Sequence, residues 1–248
     1  MEKHIASCSF GKDSLATVIL AHEHGEPLDE AVYCEVMFDR CISGEVPEHR
    51  DFIHSVAIPK LRSWGIKTTV IRPERTYLDN FTRVIGSGPK AGEICAFPLS
   101  GRCQIQRDCK RRALHRYFKA AGEDVTQYVG IAADERERLA RLGPGKISLL
   151  EKYDVTESDT YGICERHGLL SPAYAFARRG GCWFCPNAKL PELRHLYDHH
   201  PDLWARLLEL QELPNKATEM FNRDMRIEDI DRNFRIDDAQ ITWKDLGL

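Results

Sequence analysis

The chain has 248 residues, 42% of them hydrophobic, and carries 35 Lys and Arg against 38 Asp and Glu for a formal net charge of −3. That length supports one large domain, or one domain with a small appendage, and the near balance of charge excludes a protein that coats polyanions with its whole surface. No apolar run approaches the roughly 20 residues needed to cross a bilayer, and Met1-Glu2-Lys3-His4 opens no secretory signal, so a soluble cytoplasmic protein without membrane partners is expected.

His4-Ile5-Ala6-Ser7-Cys8-Ser9 reads as a strand, and residues 13–24 as a helix that turns Leu15, Ala16, Val18 and Ile19 toward a sheet. Residues 31–38 form a second strand, in which Cys34 reads as a small buried thiol. Residues 47–64 predict a helix through Phe52, Ile53, Val56 and Leu61, kinked at Pro59, and residues 67–72 a third strand. The Gly-, Pro- and Ser-rich stretch 86–101 predicts a mobile loop over the site. A helix follows from Arg102 to about Ala121, and a fourth strand at residues 127–132. This alternation predicts βαβ units and a Rossmann-like, doubly wound, mainly parallel α/β sheet. From about Pro186 the pattern is helix without strand, dividing the chain into a body, 1–185, and a helical C-terminal extension, 186–248.

The most informative stretch is Ser9-Phe10-Gly11-Lys12-Asp13-Ser14, between the first strand and the first helix. A helix N-terminus offers unpaired N–H groups and a partial positive charge that cradle phosphate. Gly11 lets the backbone approach an anion, Ser9 and Ser14 add hydroxyls, and Lys12 adds a full charge; an ordinary turn capped by Ser9 or Asp13 is the alternative. No Walker loop is present, and Gly86-Ser87-Gly88 lacks the dinucleotide spacing and a leading strand.

Nine cysteines, an odd number, argue against a disulfide scaffold. Cys182-Trp183-Phe184-Cys185, after Gly180-Gly181, places two sulfurs for one metal ion or a redox pair. Cys164 and His167 followed by Cys182 and Cys185 have the spacing of a Zn2+ ribbon. Cys109 shares a face with Ile105, Ala113 and Tyr117, which fits a core thiol. The same helix carries Arg102, Arg107, Lys110, Arg111, Arg112, Arg116 and Lys119 against Asp108, either a solvated face or a contact for the phosphates of a nucleotide or RNA. His22, His24, His195, His199 and His200 read as solvated surface, and the aspartates and arginines of the tail as a screened network.

Residues 9–14 resemble the Ser-x-Gly-x-Asp-Ser loop of the PP-loop ATP pyrophosphatase superfamily, and the chain is similar to its phosphoadenosine phosphosulfate (PAPS) reductase-like branch. The similarity continues in order through Met37-Phe38-Asp39-Arg40, Glu45-Val46-Pro47-Glu48, the segment Gly130-Ile131-Ala132-Ala133-Asp134-Glu135-Arg136-Glu137-Arg138, Tyr153-Asp154-Val155-Thr156, Gly168 to Tyr174, and Arg178 to Pro186. It implies an adenine nucleotide alpha hydrolase-like fold. It also implies ATP, or a sulfonucleotide such as PAPS or APS, bound with Mg2+ by Ser9, Phe10, Gly11, Lys12, Asp13, Ser14, Phe38, Asp39 and Gly130, with Lys12, Asp13, Arg136 and Arg138 as catalytic groups. The cluster-bearing relatives imply a [4Fe-4S] group on Cys103, Cys109, Cys182 and Cys185, although the family's first pair is adjacent and this one is six apart. The reaction implied is adenylation of a substrate oxygen with loss of pyrophosphate, then thiolation of a tRNA base or small metabolite, with a donor protein or small thiol supplying sulfur. The alternatives are a sulfonucleotide reductase and a non-catalytic nucleotide-binding module. Residues 186–248 contain no cysteine, which counts against the reductase unless Cys95 substitutes for its terminal nucleophile.

Overall fold

A computed structural model describes residues 2–245 apart from Ser100, Arg102 and Glu123, with side chains as far as residue 240. The first of the predicted basic helix residues, Arg102, thus lies outside the described residues. Five strands form one all-parallel sheet: β1 (Lys3–Ser7), β2 (Glu30–Cys34), β3 (Lys67–Ile71), β4 (Val125–Tyr128) and β5 (Lys146–Ile147), in the order β3-β2-β1-β4-β5. The register pairs Ile5 with Glu30 on one side of β1 and Ala6 with Tyr128 on the other. The arrangement is consistent with a Rossmann-like fold.

Strand β2 shows how the sheet takes helices on both faces. Successive side chains point to opposite sides, and Ala31 and Tyr33 enter one core with α1 (Lys12–Glu23). Glu30 and Cys34 face the other way. There Tyr117 Oη donates to Glu30 Oε1 at 2.8 Å, and Cys34 Sγ donates to the Cys109 carbonyl at 3.5 Å. The first core also holds Phe52 and Leu61 from the helical stretch after β2, and Ile163 of α8 (Asp159–Arg166).

The helix predicted over 47–64 is continuous but irregular: α2 (Pro47–Phe52), a π-helical turn (Ile53–Ala57) and α3 (Ile58–Ser63). Pro59 has no N–H to give and its ring crowds the carbonyl four residues earlier, that of Ser55. The widened turn lies over Ser55, where that strain falls. A second π turn (Gln106–Arg111) precedes α5 (Arg112–Ala121). Short helices α4 (Tyr77–Phe81), α6 (Arg136–Leu139) and α7 (Leu149–Lys152) fill the connections.

The C-terminal extension consists of α9 (Leu190–His199), α10 (Pro201–Glu212) and α11 (Ile227–Asp245). Leu207, Phe221 and Ile230 pack in a second core with Phe38, Tyr77, Phe97 and Phe184. Burying each such side chain contributes roughly 1.5–3 kcal/mol, so the extension and the segment around the cysteines stabilise one another. No described helix is long and apolar enough to cross a membrane.

Glu30 gives the fold a pH dependence. Burial alone would raise its carboxyl, but the Thr69 hydroxyl, Tyr117 and Lys67 outweigh it and hold the group below the ordinary glutamate range. A carboxylate lowered in the folded state contributes stability above about pH 4.3 and loses it as pH falls through the folded value. Glu30→Gln is expected to cost about 1 kcal/mol at pH 7 and to flatten the acid loss below about pH 4.3. Urea unfolding at several pH values measures both.

Candidate functional site

Strand β1 ends at Ser7 and α1 begins at Lys12, so residues 8–11 make the whole turn. Phe10 holds φ +58°, a left-handed conformation that costs a bulky residue roughly 1–2 kcal/mol. Its ring is wholly buried, edge-on to Tyr33 with centroids 5.3 Å apart, and this packing holds the bend. The chain then folds back on itself: Ser9 N donates to Ser14 Oγ at 3.1 Å, and Ser14 Oγ donates to the Gly11 carbonyl at 2.9 Å. Gly11, the N-cap, has extended backbone and no side-chain cap. The first-turn amide of Lys12 points outward and donates to Tyr174 Oη at 2.8 Å. A hydroxyl oxygen therefore sits where an anion's oxygen would meet the helix N-terminus.

The neighbouring strand closes on the same turn. Beyond β4, a Cβ on Gly130 would lie 2.8 Å from both Asp13 C and Ser14 N, a separation real side chains do not adopt. Only glycine lets this backbone lie against the first turn of α1. The chain leaves adjacent strands β1 and β4 toward opposite halves of the sheet, the position at which open α/β sheets bind ligands.

Lys12 is 3% exposed. Its Nζ lies 2.7 Å from Asp13 Oδ1 and 3.0 Å from Glu157 Oε1, and 5.1 Å from the centroid of the Tyr161 ring. Burial lowers the ammonium pKa, but the two carboxylates more than offset it and keep the group charged. Thr160 Oγ1 donates to Asp13 Oδ1 at 3.1 Å, and Glu157 N donates to Asp134 Oδ1 at 3.0 Å. Lys12 thus neutralises two acids rather than standing free beside the loop. Asp13 and Glu157 converge on the Lys12 ammonium, so a cation already fills the point between the two carboxylates.

The other expected nucleotide residues divide. Ser9, Gly11 and Asp13 reach solvent, whereas the Phe10 ring is packed away, leaving only its backbone to the loop. Phe38 is corrected likewise: its ring stacks on Tyr77 and lies against Trp183 and Phe184, so it fills the second core. Asp39 Oδ1 accepts from Cys41 N and Ile42 N at 2.7 and 2.6 Å, shaping the turn beyond β2. Arg136 is exposed at the start of α6, while Arg138 is ion-paired with Glu135.

The cysteines sort into three places. Cys103, Cys182 and Cys185 pack against the second core, which holds Tyr77; its phenol is raised first by burial and then by the fields of these three thiols. Cys109, expected with them, is wholly buried, and its sulfur accepts from Asn80 Nδ2 at 3.0 Å. Cys164, proposed with His167 for zinc, belongs to the first core and donates to the Lys12 carbonyl at 3.3 Å, while His167 meets Glu23 at 2.8 Å. The ribbon set of Cys164, His167, Cys182 and Cys185 is therefore not assembled, because its halves belong to different cores. Four thiolates on one zinc lie about 3.8 Å apart, from a Zn–S bond of about 2.3 Å. Among the described residues no three sulfurs come within 4.8 Å of one another.

His49 joins the thiols to the loop. It is buried on α2, with Nδ1 2.9 Å from Ser171 Oγ and Nε2 3.4 Å from the Ser9 carbonyl. Its other neighbour is Gly180, where a Cβ would fall 2.9 Å from Nε2. One imidazole thus separates the turn at residues 8–11 from the backbone leading into Cys182. The charge of Lys110 reaches the same crevice, lowering the pKa values of Cys8, Cys34, His49 and Cys182 against the burial that dominates each thiol. Arg107 and Arg112 of the same basic run pair with Asp108, and Arg116 with Glu74.

Sequence reasoning assigned no role to His49, Glu157, Thr160 or Tyr174. The reciprocal hydrogen bonds of Thr156 and Asp159 at the entry to α8 had a visible Thr-x-x-Asp signature; nothing in the spacing tied Glu157 to Lys12. Part of the stretch 86–101, expected as a mobile loop, is tied into the fold. Ile94 bonds to both sides of the 215–217 segment, and Ala96 and Phe97 are buried. Compared with known proteins, the chain matches no family model and no curated sequence.

Proposed function

We propose that this chain is a PP-loop, PAPS reductase-like enzyme that binds ATP at residues 9–14. It adenylates a substrate oxygen with release of pyrophosphate and transfers sulfur to the activated carbon. The observation that carries the reading is the backbone of Gly130 lying against the first turn of α1 where β1 and β4 diverge, one imidazole from the cysteine segment.

In this reading the first-turn amides of α1 and the Ser9 and Ser14 hydroxyls bind the pyrophosphate portion, with Tyr174 Oη yielding its place on the Lys12 amide. Lys12 Nζ turns from Asp13 and Glu157 to the phosphates, which frees the two carboxylates for the Mg2+ that enters with the nucleotide. The substrate oxygen attacks the α-phosphorus, the α–β bridging P–O bond breaks, and pyrophosphate leaves with that electron pair. Sulfide delivered as hydrosulfide by the donor then attacks the activated carbon, its S–H proton passes to solvent, and the carbon–oxygen bond breaks so that AMP departs with that electron pair. Arg136, solvent-facing on α6, reaches the charge that develops on phosphate. Cys103, Cys182 and Cys185 would hold an iron–sulfur group, which when bound supplies sulfur-binding iron beside the nucleotide. The reductase alternative needs a thiolate on a mobile segment. Cys95 is instead fixed by its backbone bond to Arg83, beside the Ile94–Lys216 bridge, so adenylation is preferred.

Cys182→Ala is expected to reduce iron in anaerobically purified protein at least tenfold, with pyrophosphate release assayed in parallel. Wild-type iron content in the variant would remove Cys182 from the ligand set.

A further inference from the structure

A second grouping of metal-ligating side chains joins helix α2 to α9 and its C-terminal joint, parts of the chain far apart in sequence. Glu48 is in the first turn of α2, His195 on α9, and His200 at the joint between α9 and α10. His195 Nε2 is 2.7 Å and His200 Nε2 2.9 Å from the same oxygen, Glu48 Oε1, and the three donor atoms lie within 4.8 Å of one another. These histidines, expected on the solvated surface, are in fact half-buried.

We propose that Glu48, His195 and His200 bind a zinc-class divalent cation, independently of the nucleotide reading. Two imidazoles and one carboxylate are the donor set of a borderline ion, not of the thiol-seeking group assigned to the cysteines. Ligands at Zn–N distances of about 2.0–2.1 Å stand roughly 3.3 Å apart, so a small opening of the present contacts admits the ion. The donors are held in place: the His195 ring stacks on Phe176 at 3.5 Å between centroids, and His200 N donates to the Leu196 carbonyl at 2.9 Å. The second Glu48 oxygen, Oε2, is buried with no donor from another residue, an unmet charge that a cation satisfies. Three protein donors leave the fourth position to water or a ligand. His195 also lines a cavity of about 30 Å3, room for one water, which it shares with Arg179, Cys182 and Cys185. The ion would pin the extension to the helix that carries His49.

The test titrates metal-stripped full-length protein with Co2+ under anaerobic conditions. Cys182→Ala is expected to retain one equivalent with d–d absorption and no thiolate-to-cobalt charge transfer. Adding His200→Gln or, separately, Glu48→Gln to that variant should weaken binding at least tenfold, with unchanged near-UV circular dichroism. The proposal is overturned if Cys182→Ala binds no Co2+, if all its bound cobalt shows charge transfer, or if both added substitutions leave affinity unchanged. Any of these outcomes leaves the grouping a pair of histidine–carboxylate contacts.

Discussion

Gly130→Ala is expected to weaken ATP binding at least tenfold and to cost about 2 kcal/mol of stability, the scale of overpacking a closed site. The added methyl would meet backbone, Asp13 C and Ser14 N at 2.8 Å, not the movable end of a side chain. The strand end must therefore retreat from α1, or the first turn of α1 must tilt, and either shift moves the amides from the anion. Urea unfolding and equilibrium dialysis with ATP separate the two losses. A variant destabilised as expected but binding ATP like wild type would place the nucleotide elsewhere.

Lys12→Met produces the second large effect. It leaves Asp13 and Glu157 converging on a point without a cation. Losing one partner of a buried pair costs 3–5 kcal/mol, but the Asp13 and Glu157 side chains are 29% and 58% exposed, and water screens them. The expected cost is about 1–2 kcal/mol. Pyrophosphate release is expected to fall by about 10²–10³, the scale seen when one preorganised charge or donor is removed from a transition state. Steady-state kinetics at saturating ATP checks this, and an unchanged kcat would assign Lys12 to stability alone.

How far sequence could lead depended on whether a feature is local. The strand, bend and helix of residues 3–23 were legible because alternation, a polar turn and helical periodicity follow one another directly. The left-handed Phe10 was not, since a buried aromatic at that φ is held by its tertiary contact with Tyr33. Strand β5 has two residues, too few for a period. In the stretch 86–101 glycine and proline signal a loop, and nothing local marks Ala96 and Phe97 as the part that enters the second core. Residues 186–248 read as a helical extension because they lack strands, and their apolar faces complete a core begun at Val36 and Phe38. Cys109 followed its periodicity into the second core, where Asn80 donates to it, and Cys103, Cys182 and Cys185 pack against that same core. Glu48 and His195, 147 positions apart, carry no common local signal.

The most direct measurement is calorimetric titration of Mg-ATP into wild-type protein and Gly11→Ala. Gly11 has φ −72° and ψ 159°, open to any residue, and its nearest neighbours are side-chain oxygens of Tyr174 and Ser9 at 3.3 and 3.5 Å. The added methyl should leave stability nearly unchanged while taking space beside the helix N-terminus. Wild-type binding with Kd below about 1 mM, weakened at least tenfold in an equally stable variant, is the predicted result. Absence of wild-type binding, or equal affinity in the two proteins, would contradict the assignment of this bend as the phosphate site.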